Sequence, residues 1–276
     1  MRTEYCKEYI KVTELGDFSL ADTLNCGQCF RWDEDAEGVF SGFAGKLGCR
    51  ARQEDDAVYF YGVSKEEFDG FWVEYFDFAR DYGALRNAFC EDEVLAEAVR
   101  FAPGIRVLRQ EPWEALCSFI ISQNNNIKRI KGIVARLCEE FGDKAGGGMS
   151  TFPAAEKLAG LCEDDLSTLR CGFRAGYILD AARKVASKEV DLDKVAVLPL
   201  DEARAQLMKI RGVGPKVAEC TLLYGFGRLE CFPVDVWIKR AMESLFPDGL
   251  PACAAEYAGI AQQYIFHYMR MKEENK

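Results

Sequence analysis

Between residues 18 and 63 the apolar and aromatic positions come in short bursts: FSLADTLNCGQCFRW, GVFSGFAG, KLGCRARQ and DAVYFYGV. Acidic or glycine-bearing turns separate them, a rhythm that predicts strands. From residue 65 the rhythm changes. KEEFDGFWVEYFDF places Phe68, Phe71, Trp72, Tyr75 and Phe76 at the i, i+3, i+4, i+7, i+8 positions of an amphipathic helix. EPWEALCSFIISQ, NIKRIKGIVARLCEEFG, CEDDLSTLR, RAGYILDAARKVAS, DEARAQLMKI, GPKVAECTLLYGF, VDVWIKRAMESLF and ACAAEYAGIAQQYIFHYMR all read as helices joined by Gly- or Pro-bearing turns. The pattern predicts an α+β chain. An antiparallel β-rich domain is expected over 1–101 and an all-α domain over 102–276, with the boundary near Phe101 to Gly104. AGGGMS, at 145–150, reads as the most flexible internal loop.

Composition narrows the class. The 276 residues are 49% hydrophobic and 29% charged, ordinary for a globular protein. No apolar run approaches the roughly 18 residues a membrane span needs, and the first residues carry no apolar core of a signal peptide. Twelve Cys without a secretory signal argue for free thiols in a reducing compartment, and a prokaryotic cytoplasm is the expected location. The net charge of −10 counts at first against a nucleic-acid partner. Its distribution matters more. Residues 51–97 hold 4 basic and 13 acidic side chains, whereas residues 204–240 hold 7 basic and 3 acidic. Two solvated faces would look the same.

The chemistry concentrates in LMKIRGVGPKVAECTLLYGFGRLECFPVDVWIKRAM. One helix ends near Ile210. Gly212 and Gly214 allow a tight turn with φ > 0, and Pro215 suits the first turn of the next helix. Backbone amides at that helix start would attract a phosphate, although a plain helix-to-helix turn would use the same residues. Lys216, Cys220 and Tyr224 share one stripe of the second helix. A lysine in the first turn sits at the positive end of the helix dipole, which favours the neutral amine that attacks an electrophile; a surface lysine touching a phosphate is the alternative. Asp235 follows Lys216 by 19 positions and precedes a helical run. It suits an N-cap. It equally suits a carboxylate that stabilises oxocarbenium-like charge while an amine traps C1′ of a sugar.

This segment resembles the helix-hairpin-helix, Gly/Pro…Asp superfamily of DNA glycosylases, and G-V-G-x-K-V-A-x-C…P-V-D-V resembles its 8-oxoguanine branch. The resemblance implies that Lys216 is the nucleophile and Asp235 its partner. It also implies a backbone site for a monovalent cation, K⁺ or Na⁺, at the carbonyls of Met208, Ile210 and Val213, and no required cofactor. Relatives that hold an iron–sulfur cluster carry four Cys after the Asp; only Cys253 follows Asp235 here.

Other segments extend the resemblance over about residues 15–270. In CSFIISQNNNIKRIKGI the triple Asn is a helix breaker rich in donors and acceptors. The family's contacts to the cytosine left unpaired by base flipping fall on Asn124 and Arg129. In RCGFRAGYI the family's wedge and its following Arg fall on Phe173 and Arg174, Phe standing where the family often has Tyr. In LNCGQCFRW the discriminating contact falls on Gly27. Guanine N7 accepts a hydrogen bond, whereas N7 of 8-oxoguanine carries a hydrogen, so a carbonyl at Gly27 would accept from the lesion alone. Cys26-x-x-Cys29 also fits a redox pair or half a zinc site, but no second pair completes it. In AGIAQQYIFHYMR, Gln262 would read the base edge and Phe266 stack on it, with Cys220 against the other face. Trp237 stands where the family often has His.

The expected activity is therefore excision of 8-oxoguanine from duplex DNA with β-elimination at the abasic site, by a monomer without membrane attachment. A glycosylase for another lesion and a non-catalytic DNA-binding hairpin are the alternatives.

Overall fold

The computed structural model describes residues 1–145 and 149–274, so the glycine run of the loop expected to be flexible lies outside the described residues. Six strands form one sheet: β1 (Arg2–Tyr5), β2 (Tyr9–Thr13), β3 (Trp32–Glu34), β4 (Val39–Ala44), β5 (Leu47–Glu54) and β6 (Ala57–Tyr61), in the order β1-β2-β6-β5-β4-β3. The pairs β1–β2, β2–β6 and β5–β6 run antiparallel. Two of these strands precede residue 18, where the bursts of apolar residues begin.

One expected strand is a helix. Within residues 18–32, Leu20–Asn25 forms α1, because Ser19 caps it, accepting from Asp22 N–H at 3.1 Å. Leu20, Thr23 and Leu24 then face inward at helical spacing. The aromatic stripe at 68–76 is helical as expected, with α2 (Lys65–Glu67), a π turn (Phe68–Trp72) and α3 (Val73–Tyr75) in one run. α4 (Tyr82–Phe89) and α5 (Glu93–Phe101) follow, each started by an Asp cap.

The remaining helices are α6 (Pro112–Ser122), α7 (Ile127–Phe141), α8 (Ala155–Ala159), α9 (Arg174–Ala186), α10 (Leu192–Val197), α11 (Leu200–Leu207), α12 (Pro215–Phe226), α13 (Val236–Ser244) and α14 (Ala258–Glu274). CEDDLSTLR makes a 3₁₀ segment, Asp164–Leu169, rather than an α-helix, and Arg170 ends it in the left-handed region at φ 54°. Among the described residues no helix is long and apolar enough to cross a membrane.

By contact, the chain divides into two compact units that are not contiguous in sequence. The first gathers Met1–Ser41, Cys49–Arg109 and Gly227–Lys276; the second gathers Gly42–Gly48 and Gln110–Phe226. The position 101–102, where the pattern of elements changes, thus falls inside the first unit. The reason lies in α14. Its Tyr264 hydroxyl donates to the carbonyl of Ile105 at 3.4 Å, its Gln263 Nε2 to that of Cys26 at 3.2 Å, and its Arg270 Nη2 to that of Asn25 at 2.9 Å. The first unit's core is aromatic: Trp32, Phe60, Phe68, Trp72 and Phe76 are all buried, and Trp32 Nε1 donates to Tyr75 Oη at 2.9 Å. In the second unit α6 and α12 are buried over most of their length, and Phe119 stacks on Tyr224 with centroids 5.1 Å apart.

Candidate active site

The hairpin belongs to the second unit. α11 stops at Leu207 and the turn passes through Gly212 at φ +79°. A Cβ there would meet the ring of Tyr177 at 2.2 Å, so only glycine fits on both backbone and packing grounds. Gly214 differs from expectation. It is not among the positive-φ glycines, and a Cβ there would meet nothing within 4 Å, so neither backbone nor packing requires glycine. α9 holds the turn from one side: Asp180 Oδ2 accepts from Arg211 N–H at 2.7 Å, and Lys184 Nζ donates to the carbonyl of Lys209 at 2.7 Å.

Lys216 occupies the first turn of α12, half-buried. Its Nζ donates to Ser122 Oγ at 3.3 Å and lies 5.1 Å from the ring centroid of Phe119. Ser122 in turn donates to the carbonyl of Phe119 at 2.8 Å. Among the described residues Lys216 takes part in no salt bridge, so its amine is not committed to an acid. Cys220, one turn on, is buried.

The three asparagines after α6 have three different tasks. Asn125 Nδ2 donates to the carbonyl of Ile121 at 3.1 Å and closes α6. Asn126 caps α7, accepting from Arg129 N–H at 2.9 Å. Asn124 sits between them in the left-handed region at φ 49°, exposed. Its side chain bonds to no described residue, which leaves amide and carbonyl available to a ligand. Arg129 is exposed, with Nη2 3.4 Å from the carbonyl of Arg170.

Phe173 opens α9 with its ring 53% exposed, packed edge-on against Tyr177. Arg174 follows it, its guanidinium 4.5 Å from the Phe173 ring centroid. It is 3% exposed, and its guanidinium donates to the carbonyls of Gln123 (Nε at 2.9 Å, and Nη2), Asn124 (3.0 Å) and Cys171 (3.2 Å). Burial, and then the positive charge of Arg129, hold its pKa below the ordinary guanidinium range.

The first unit holds the other predicted residues. Asp235 caps α13 through one oxygen: Oδ1 accepts from Trp237 N–H at 3.0 Å and Ile238 N–H at 2.9 Å. Oδ2 has no partner among the described residues. The cap and the functional reading are thus compatible, since the helix start orients a carboxylate whose second oxygen stays free. Val234 and Val236 on either side are exposed. Trp237 packs its ring under the Arg240 guanidinium at 5.2 Å.

Gly27 lies in a bend at φ +87°, and its carbonyl accepts from no described residue. Gln263 ties this bend to α14 through the carbonyl of Cys26. On the same helix Gln262 is 4% exposed; its Nε2 donates to the carbonyl of Pro233 at 3.2 Å, and its Oε1 is buried without a partner. Phe266 is half-buried rather than core, with the Arg270 guanidinium 5.9 Å from its ring centroid. Cys26 donates to the carbonyl of Thr23, and burial pushes its thiol up to about 12, so it holds its proton rather than serving as a ready thiolate.

Comparison with known proteins shows the family to which the chain belongs. Residues 10–116 match the model of the 8-oxoguanine DNA glycosylase N-terminal domain, and residues 117–249 that of the HhH-GPD superfamily of base excision DNA repair proteins. The N-glycosylase/DNA lyase of Saccharomyces cerevisiae is 32% identical over 255 residues, covering 81% of this chain and 67% of the relative. The N-glycosylase/DNA lyase OGG1 of Arabidopsis thaliana is 30% identical over 272 residues, covering 91% and 73%. The chain belongs to the 8-oxoguanine DNA glycosylase family. Its enzyme class is accordingly that of a bifunctional N-glycosylase and DNA lyase. Among solved structures, the Clostridium acetobutylicum 8-oxoguanine glycosylase/lyase in complex with dsDNA containing cytosine opposite 8-oxoG superposes with a TM-score of 0.92 at 35% identity, covering 99% of each chain. MBOgg1 in complex with a low-affinity DNA ligand gives 0.92 at 40% identity, covering 100% of this chain and 99% of that one.

Three residues of this family member escaped the sequence reading. Ser122 receives the lysine amine, Tyr177 fills the space beside Gly212, and Gln28 staples the Gly27 bend. Gln28 is fully buried, donates to the carbonyls of Thr23 (2.9 Å) and Arg106 (2.7 Å), and accepts from Leu108 N–H at 2.8 Å. The only signal for it was a polar residue between two cysteines in an apolar stretch.

Proposed function

We propose that this enzyme excises 8-oxoguanine from duplex DNA, with cytosine as the preferred opposite base, and then cleaves the strand at the abasic site. The observation that carries the reading is Lys216: a half-buried amine with no acid partner among the described residues, at the start of the helix that follows the glycine turn. The relatives' names supply the reaction class, and the Clostridium structure's ligand supplies the base pair.

In this reading the hairpin amides bind backbone phosphate, Phe173 enters the base stack, and the damaged base turns out of the duplex. The Gly27 carbonyl accepts from N7–H, the unpartnered Gln262 Oε1 accepts from the Watson–Crick edge, and Phe266 stacks on the ring. Asn124 and Arg129 take the orphaned cytosine. The neutral Lys216 amine attacks C1′; the C1′–N9 bond breaks and its electron pair leaves with the base, which gains a proton. Asp235 stabilises the positive charge that develops on the sugar. The sugar ring opens to an imine on Lys216, a proton leaves C2′, and the C3′–O bond breaks to release the strand on the 3′ side with a phosphate at its 5′ end.

No organic cofactor enters these steps. The carbonyls of Met208, Ile210 and Val213 are a hard-oxygen set suited to K⁺ or Na⁺, and such an ion would stiffen the turn that presents the amides. The Ile210 oxygen already accepts from Val213 N–H at 3.0 Å and has one lone pair left to offer. We place the enzyme in the cytoplasm, on the nucleoid, acting as a monomer.

Borohydride trapping tests the reading on a duplex with one 8-oxoguanine opposite cytosine. A covalent adduct is expected from the native enzyme and none from Lys216→Gln, whose turnover falls at least about 10³-fold. Lesion binding by the variant should persist. Preserved turnover in the variant would remove Lys216 as nucleophile.

A further inference from the structure

Arg106 is a buried cation that the proposed chemistry leaves unused. It is 4% exposed, in the segment after α5. Its backbone is pinned: the N–H donates to Thr23 Oγ1 at 3.1 Å, and the carbonyl accepts from Gln28 Nε2 at 2.7 Å. Of its side-chain donors, Nη2 reaches the carbonyl of Leu15 at 2.7 Å, whereas Nε and Nη1 have no partner. The guanidinium lies 4.0 Å from the ring centroid of Tyr82. The Tyr82 hydroxyl is already committed, donating to Asp77 Oδ2 at 3.2 Å and accepting from Val107 N–H at 2.9 Å. Among the described residues no carboxylate forms a salt bridge with Arg106. Stacking on Tyr82 offsets part of the cost of burying the charge. Burial also holds its pKa below the ordinary guanidinium range.

The same side chain lines a cavity of about 310 Å³, within the size range that takes small ligands. Leu15, Phe78 and Tyr82 give it apolar walls, and Arg80 and Arg86 line it as well. Those two arginines have acids of their own: Arg80 Nε pairs with Asp77 Oδ2 at 2.6 Å, and Arg86 pairs with Asp17. Glu14 and Asp81 are the exposed carboxylates of the lining. Arg106 is therefore the buried cation of the lining that lacks an acid.

We propose that this cavity binds a small oxyanion, a phosphate or carboxylate group, with Arg106 as its principal donor and Arg80 and Arg86 completing the wall. Nε–H and Nη1–H lie on different edges of the guanidinium, and each is an unpartnered charge-bearing donor, among the described residues, of the kind an oxyanion's acceptors satisfy. Nε and Nη1 are covered from solvent in the present arrangement, so entry of the anion entails a shift of the side chain across the Tyr82 ring. The pinned backbone confines that movement to the side chain.

Thermal unfolding of the full chain in inorganic phosphate, in acetate and in chloride, at matched ionic strength, tests the site. At least one oxyanion should raise the midpoint saturably by about 2–4 °C. Arg106→Lys, which keeps the charge but loses the planar set of N–H donors, should weaken half-saturation about tenfold, and Arg106→Met should abolish the response. If the methionine variant does not fold, Arg80→Met serves in its place, with half-saturation weakened several-fold. A response to phosphate alone or to acetate alone identifies the group bound. No saturable rise with either anion, or an equal rise in native protein and Arg106→Lys, would overturn the proposal.

Discussion

The Gly27 bend and α14 hold acceptors that no described residue uses, whereas the Asn124 loop and the start of α9 hold a donor, Arg174, that is bonded to three backbone carbonyls. On the first side, the Gly27 carbonyl and Gln262 Oε1 are fixed in place and unpaired. Folding has already borne the cost of stripping water from Gln262 Oε1, and a base that brings the matching donors recovers it. In the proposed reading, a base that lacks them leaves the acceptors stranded, which predicts steep discrimination there. On the second side, any base edge that takes Arg174 must displace the carbonyls of Gln123, Asn124 or Cys171. Exchange of one good acceptor for another gives a small net energy. The damaged base should therefore be chosen sharply and its former partner loosely, with Asn124 and Arg129 making most of the latter choice.

The largest test of this contrast is Gln262→Leu. It removes the unpaired acceptor, and kcat/KM on the lesion duplex should fall about 10²-fold in single-turnover excision assays. A loss of less than threefold would show that the buried oxygen does not read the base. Next comes Arg174→Met, which strips donors from the loop. Denaturant unfolding should show about 2 kcal/mol of destabilisation, while the preference for cytosine over adenine opposite the lesion changes by less than tenfold. A collapse of that preference with stability unchanged would make Arg174 a direct reader and erase the difference between the two sides. Phe173→Ala gives the smallest effect. The ring is 53% exposed, so stability should stay within about 0.5 kcal/mol. Affinity for the lesion duplex, measured by titration, should weaken about fivefold through loss of the wedge.

Much of this arrangement follows from local chain order. The turn at Gly212, the lysine one residue after Pro215, and the Asp at a helix start are local features, so their places on the helices are legible from spacing, while the roles expected of them come from the family resemblance. The triple Asn is legible for the same reason, since helix breaking and N-capping are local acts. What stayed hidden depends on distant partners. The gathering of residues 227–276 with the first hundred rests on Gln263, Tyr264 and Arg270 reaching residues more than 150 positions away. Arg174 read as a displayed arginine because nothing in RCGFRAGYI shows that the carbonyls of Gln123 and Asn124 wait for it. The helix at Leu20 was masked by aromatic neighbours that belong to the sheet, and its one clear sign was Ser19.

Asp235 carries a consequence for how such a chain drifts over generations. The same carboxylate that is proposed to stabilise charge on the sugar also starts α13. Selection for folding alone would tolerate Asn, Ser or Thr at this position, because each can cap a helix; selection for repair would admit only the acid. A lineage relieved of the need to repair would be free to exchange this residue early and keep its fold. Among descendants of this protein, position 235 would then record whether the enzyme still works, while the helix it caps would look the same in both.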